Sequence, residues 1–76
     1  MKNMKYNYIK DDIQIDFELP EGISKIIAIV EKLDQLNDGE YLSYASTLKA
    51  TVQYYVDKGV LTKQQQDILN KKYPAI

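Results

Sequence analysis

The sequence predicts an α+β protein: an N-terminal two-stranded antiparallel β-hairpin packed on three short helices, in the order β-β-α-α-α. Three patterns lead there. Apolar and polar residues alternate strictly over residues 13–19, apolar residues recur at helical spacing from Ile23 onward, and glycine or capping residues stand at the segment ends.

The hairpin is assigned to residues 4–19. Ile13, Ile15, Phe17 and Leu19 are apolar, whereas Gln14, Asp16 and Glu18 are polar, the period-two signature of a half-buried strand. A turn centred on Asp11-Asp12 would place Tyr8 opposite Ile15, Tyr6 opposite Phe17 and Met4 opposite Leu19. It would also set Lys5 opposite Glu18 and Asn7 opposite Asp16 on the outer face.

Pro20 closes the second strand and suits the first turn of a helix, where its missing N–H costs little. The first helix carries its stripe at Ile23, Ile26, Ile27, Val30 and Leu33. Ile29 and Leu36 widen that stripe, which predicts burial on more than one side. Asn37-Asp38-Gly39 ends the helix, with Gly39 expected in the left-handed position and the asparagine and aspartate capping the next helix.

The second helix is predicted over residues 40–58, with Tyr41, Ala45, Leu48, Val52, Tyr55 and Val56 inward and Gly59 as its stop. Thr62 and Gln65 have capping-box spacing and open a third helix, which ends near Tyr73 before Pro74 and contributes Ile68, Leu69 and Tyr73 to the core. Residues 58–73 resemble the helical hairpins with a G-x-L-T-x-x-Q pattern common in small bacterial and phage proteins; Gly59, Leu61, Thr62 and Gln65 carry the likeness.

The 76 residues are read as one domain, near the lower size at which a chain folds without staples. There is no cysteine and no histidine, so disulfides, thiolate zinc sites and the commonest catalytic bases and nucleophiles are ruled out. Gly22, Gly39 and Gly59 lie too far apart for a phosphate-binding loop. The chain is therefore expected to be no enzyme and to take no cofactor, metal or small-molecule substrate. Residues 34–40 invite comparison with a calcium-binding loop. Aligned on Gly39, however, the third and twelfth positions are Leu36 and Ala45, which cannot ligate. The longest apolar run, residues 26–30, is far short of a membrane span, and no secretory leader is visible. A cytoplasmic location is the default expectation, with no membrane partner.

All ten basic residues are lysine, a usage expected of an AT-rich bacterial or phage genome. Without arginine, bidentate recognition of phosphate or guanine loses its best group, so direct nucleic-acid binding is the least favoured function. Charge is unevenly spread. Residues 11–40 hold nine of the eleven acids with only Lys25 and Lys32, a net of −7, while residues 1–10 and 41–76 each carry +3. Internal neutralisation is the plain explanation. A contact surface is the functional one, with Asp11, Asp12, Asp16, Glu18 and Glu21 as its acids.

Of seven tyrosines, Tyr6, Tyr8, Tyr41, Tyr55 and Tyr73 are expected in the core with hydroxyls at the rim. Tyr44 and Tyr54 are the exposed pair that could anchor a partner. The functional expectation is a small non-catalytic protein-binding or regulatory module. It would dock this acidic and tyrosine surface on a larger protein with a basic surface, inhibition of a nucleic-acid enzyme such as a defence nuclease being one version. A self-associating structural module, a homo-oligomer, is the rival.

Overall fold

The structure, a computed structural model, describes residues 6–75. Among them three helices form: α1 (Glu21–Gln35), α2 (Tyr41–Asp57) and α3 (Lys63–Lys72). The described residues contain no strand, so the expected hairpin, and with it the α+β class, is overturned. The protein is a three-helix array with an irregular N-terminal strap, residues 6–19, laid against it.

The helices start and stop where local chemistry dictates. Pro20 stands as the N-cap of α1, and its carbonyl accepts from Ile23 and Ser24. Both α1 and α2 end in a Schellman motif. At α1, Asp38 N–H donates to the Leu33 carbonyl (2.9 Å) and Asn37 N–H to that of Asp34 (3.0 Å). At α2, Val60 N–H donates to Tyr55 (2.9 Å) and Gly59 N–H to Val56 (3.0 Å). The left-handed residues are Asn37, at φ 53°, and Gly59, at φ 77°. Gly39 does not take the role expected of it, because asparagine also tolerates this region and comes two residues earlier, where the helix ends. The Asp38 side chain accepts from Glu40 N–H (2.9 Å) and leads into α2. The capping box of α3 forms as its spacing predicts: Thr62 Oγ1 accepts from Gln65 N–H, and Gln65 Oε1 accepts from Thr62 N–H.

Helix α2 packs on both α1 and α3, whereas α1 and α3 do not approach each other within 8 Å between Cα atoms. At the start of α1, Gly22 lies against α2 so closely that a Cβ there would stand 2.8 Å from the Tyr55 hydroxyl. The strap supplies what the missing α1–α3 contact would have buried. Tyr6 and Ile9 enter the core beside Ile23, Ile27 and Val30 of α1, Tyr41, Ala45, Leu48 and Val52 of α2, Leu69 of α3, Leu61 from the α2–α3 connection, and Tyr73, the C-cap of α3. Ile15, Phe17, Leu19, Tyr55 and Val56 pack half-buried against that cluster. Ile29 and Leu36 do not extend it. Leu36 is 65% exposed and Ile29 also faces outward, so α1 is buried on one side only.

Two expectations for the strap survive and one fails. The turn at Asp11-Asp12 is present, with Ile13 N–H donating to the Lys10 carbonyl (3.1 Å). The alternation also holds: residues 13, 15, 17 and 19 are half-buried, while 14, 16 and 18 are exposed. Cross-strand pairing does not form. Tyr8 stacks on Tyr41 at 4.7 Å between ring centres rather than facing Ile15, and Tyr6 with Ile9 replaces the even-numbered parity expected of strand one. The pairings proposed for Met4 and Lys5 lie outside the described residues. The physical reason is competition for main-chain hydrogen bonds. A lone two-stranded ribbon is marginal in water, and here a buried carboxylate and a buried ammonium take the groups that a second strand would have used.

Candidate functional site

Asp34 and Lys72 are the two charged side chains buried among the described residues. Asp34 falls in the last turn of α1, on the same stripe as Ile23, Ile27 and Val30, so helical period alone drives it inward. A carboxylate there is costly, being desolvated and near the negative end of the helix dipole. Three successive main-chain amides offset that cost. Asn7 N–H donates to Oδ1 (2.8 Å), Tyr8 N–H to both oxygens (3.1 Å each), and Ile9 N–H to Oδ2 (2.9 Å). The Asn7 side-chain amide returns the contact by donating to the Asp34 carbonyl (2.6 Å). Successive N–H groups converging on one anion form a concave nest, here built within the chain.

Lys72 plays the complementary part from the last turn of α3, where a cation suits the dipole. Its Nζ donates to the carbonyls of Ile13 (2.6 Å) and Lys10 (3.3 Å), and its own carbonyl accepts from Lys10 N–H (2.9 Å). The strap thus runs from the C-terminal end of α1 to that of α3, turns at residues 10–13, and returns to Pro20 at the start of α1. Both anchors grip main-chain groups, so the strap's path is set without regard to its outward side chains. Among the described residues, no buried side-chain polar atom is left without a partner.

Two tyrosines seal this region. Tyr41 donates from its hydroxyl to the Pro74 carbonyl (3.1 Å). Its pKa is pushed up to about 12, first by burial and then by the nearby Asp34 carboxylate and Tyr8 hydroxyl. Tyr73 is raised as well, chiefly by burial, with Glu31, Tyr6, Tyr41 and Asp11 adding to it. Both rings stay neutral and serve packing.

The sequence-predicted acids all lie on the outer surface. Asp11 and Asp12 occupy the strap turn, Asp16 and Glu18 its outward parity, and Glu21 the first turn of α1, and all five are exposed. Glu21 pairs with Lys25 at 3.4 Å; the other four form no ion pair among the described residues. Tyr44 and Tyr54 both lie on α2 and are exposed. Tyr54, two residues past the buried Val52, sits on the far side of α2. There it meets Tyr55 edge-on at 5.4 Å and Lys58 at 5.5 Å. Tyr44 lies on a flank of α2 at 37% exposure. Asp34, first position in the calcium-loop comparison, points away from that loop into the core, and both its oxygens take N–H donors. Among the described residues, no three acids stand grouped to hold a metal ion, and no helix is long and apolar enough to cross a membrane.

Asp34 and Lys72 are the residues that sequence reasoning passed over. The signal was present in part: each is a charge set at core spacing, Asp34 four residues after Val30 and Lys72 three after Leu69. Comparison with protein-family models, with curated proteins and with solved structures returns no match.

Proposed function

We propose that this chain is a small non-catalytic binding module that docks on a basic surface of a larger protein through the outward face of its strap. The supporting observation is the run of four exposed carboxylates, Asp11, Asp12, Asp16 and Glu18, that meet no described cation. Charges so placed are already solvated, so their field extends outward, where it steers a basic partner and speeds encounter. The alternation of the strap also aims Asp16 and Glu18 outward. They flank the bend at Phe17, on a stretch that runs from the turn held by Lys72 to the start of α1. A partner presenting lysine or arginine at matching spacing, such as the nucleic-acid channel of an enzyme, fits this face. Tyr44 and Tyr54, on α2, would serve a separate contact.

The test uses the partner retained from a bacterial lysate by the immobilised full-length protein. Asp16→Lys with Glu18→Lys should leave helicity and melting unchanged and weaken that partner's binding by about tenfold or more. The exposed control pair Lys49→Glu with Lys71→Glu should change it little. Binding should also weaken with salt, since exposed charges are screened over about 8–10 Å at physiological ionic strength. Equal losses from the two double variants, or indifference to salt, would refute the acidic face as the contact.

A further inference from the structure

We infer that the groove between α1 and α3 accepts the strap of a second copy of this chain in place of its own, so that two copies associate by exchanging residues 6–19. The inference stands apart from the acidic-face reading and would hold whatever partner that face meets.

Four observations carry it. Helices α1 and α3 do not approach within 8 Å between Cα atoms, and the strap is hydrogen-bonded to both. Among the described residues, the hydrogen bonds that anchor residues 7–13 in the groove run to Asp34 or Lys72: five N–H groups and two carbonyls of the strap take part. The apolar anchors Tyr6 and Ile9 are buried in the same place. Between the turn and Pro20, residues 14–19 make no main-chain hydrogen bond with any described residue, so among the described residues that stretch is held by its half-buried side chains. The strap therefore has one strong docking point and a loosely held connection to α1.

A strap from a second copy reproduces each of these contacts, because the groove recognises main-chain groups and two apolar side chains that every copy carries. The exchanged and closed forms differ only in the connection near Leu19-Pro20 and in concentration. A tethered segment has an effective concentration on the order of millimolar, so exchange becomes appreciable only as the protein approaches that range. It also requires the strap to leave its groove first, which makes it slow and promotes it during refolding. The exterior charges do not oppose it, since Asp16 and Glu18 of each strap face solvent in either form.

The experiment refolds isotopically heavy and natural-abundance full-length chains together from urea over a concentration series reaching millimolar. Native mass spectrometry then counts mixed dimers. Mixed dimers that grow with concentration, retain the monomer's helicity, and persist when Ile29→Lys and Leu36→Lys are introduced support exchange. A second arm mixes two defective full-length chains: Asp34→Ala, with an intact strap and a damaged groove, and Ile9→Asp, with an intact groove and a damaged strap. A released strap cannot be released twice. Their heterodimer therefore recovers one complete docking that neither chain has alone, and it should exceed either homodimer at least severalfold. Absence of mixed wild-type dimers up to millimolar concentration overturns the inference. So does a dimer abolished by the Ile29 and Leu36 substitutions, which would place association on the outer face of α1.

Discussion

Replacing Asp34 tests the central structural claim, that one buried carboxylate determines the path of the N-terminal segment. Asp34→Ala leaves three main-chain donors without their acceptor. Ile9 N–H is fully buried, and an unsatisfied donor there costs about 1–3 kcal/mol. Asn7 and Tyr8 are part-buried and can recover water, so each loses about 0.5–1 kcal/mol. The sum is about 3 kcal/mol, against a total stability of about 4–11 kcal/mol for a chain of 76 residues. At this size that corresponds to a fall in Tm of about 12–24 °C. Asp34→Leu is the discriminating variant. It places an apolar side chain in an apolar stripe, so hydrophobicity alone would leave the protein as stable or more so. The amides of residues 7–9 cannot be replaced with it, however, and should keep most of the loss. Thermal and urea melts followed by far-UV circular dichroism measure both variants. Hydrogen exchange should show lost protection at residues 7–9 before the helices open. An Asp34→Leu protein with wild-type or higher Tm would refute the reasoning.

Other outcomes follow from single features. Phe17→Asp should destabilise by about 1–2 kcal/mol because Phe17 packs half-buried on the core, while Gln14→Lys, on the exposed parity, should change stability by less than about 0.5 kcal/mol; equal melting points would contradict the alternation. Tyr41 holds its proton up to about pH 12 in the native state but only to about 10 unfolded, so its contribution is full below pH 10 and declines as pH rises toward 12; Tyr41→Phe should flatten that part of a stability-versus-pH curve measured by urea melts. Gly59→Ala should cost about 1 kcal/mol because a Cβ is strained at φ 77°, whereas Asn37→Gly, at φ 53°, should be neutral or slightly stabilising in the same assay.

The helices were legible in the sequence because their determinants are local. The stripe beginning at Ile23, the stripe from Tyr41 to Val52, the Thr62–Gln65 capping box and the Gly59 stop all act within a turn or two of backbone. The alternation over residues 13–19 was legible as well, and it correctly separated the half-buried Phe17 from the exposed Asp16 and Glu18. What it could not specify was a partner strand. Period two reports an extended chain lying on an apolar surface, and helices offer such a surface as well as a sheet does. The acids of the candidate docking face were found for the same local reason: their exposure follows from parity and from the turn at Asp11-Asp12.

The tertiary structure alone decided where the strap's main-chain groups would find partners. Those bonds join residues 25 to 27 positions apart at Asp34 and 59 to 62 apart at Lys72, beyond the reach of any periodicity. A charged acceptor fixed in a desolvated site outcompetes the neutral carbonyls of a marginal ribbon. That difference in hydrogen-bond strength turned an expected hairpin into a strap between two helices.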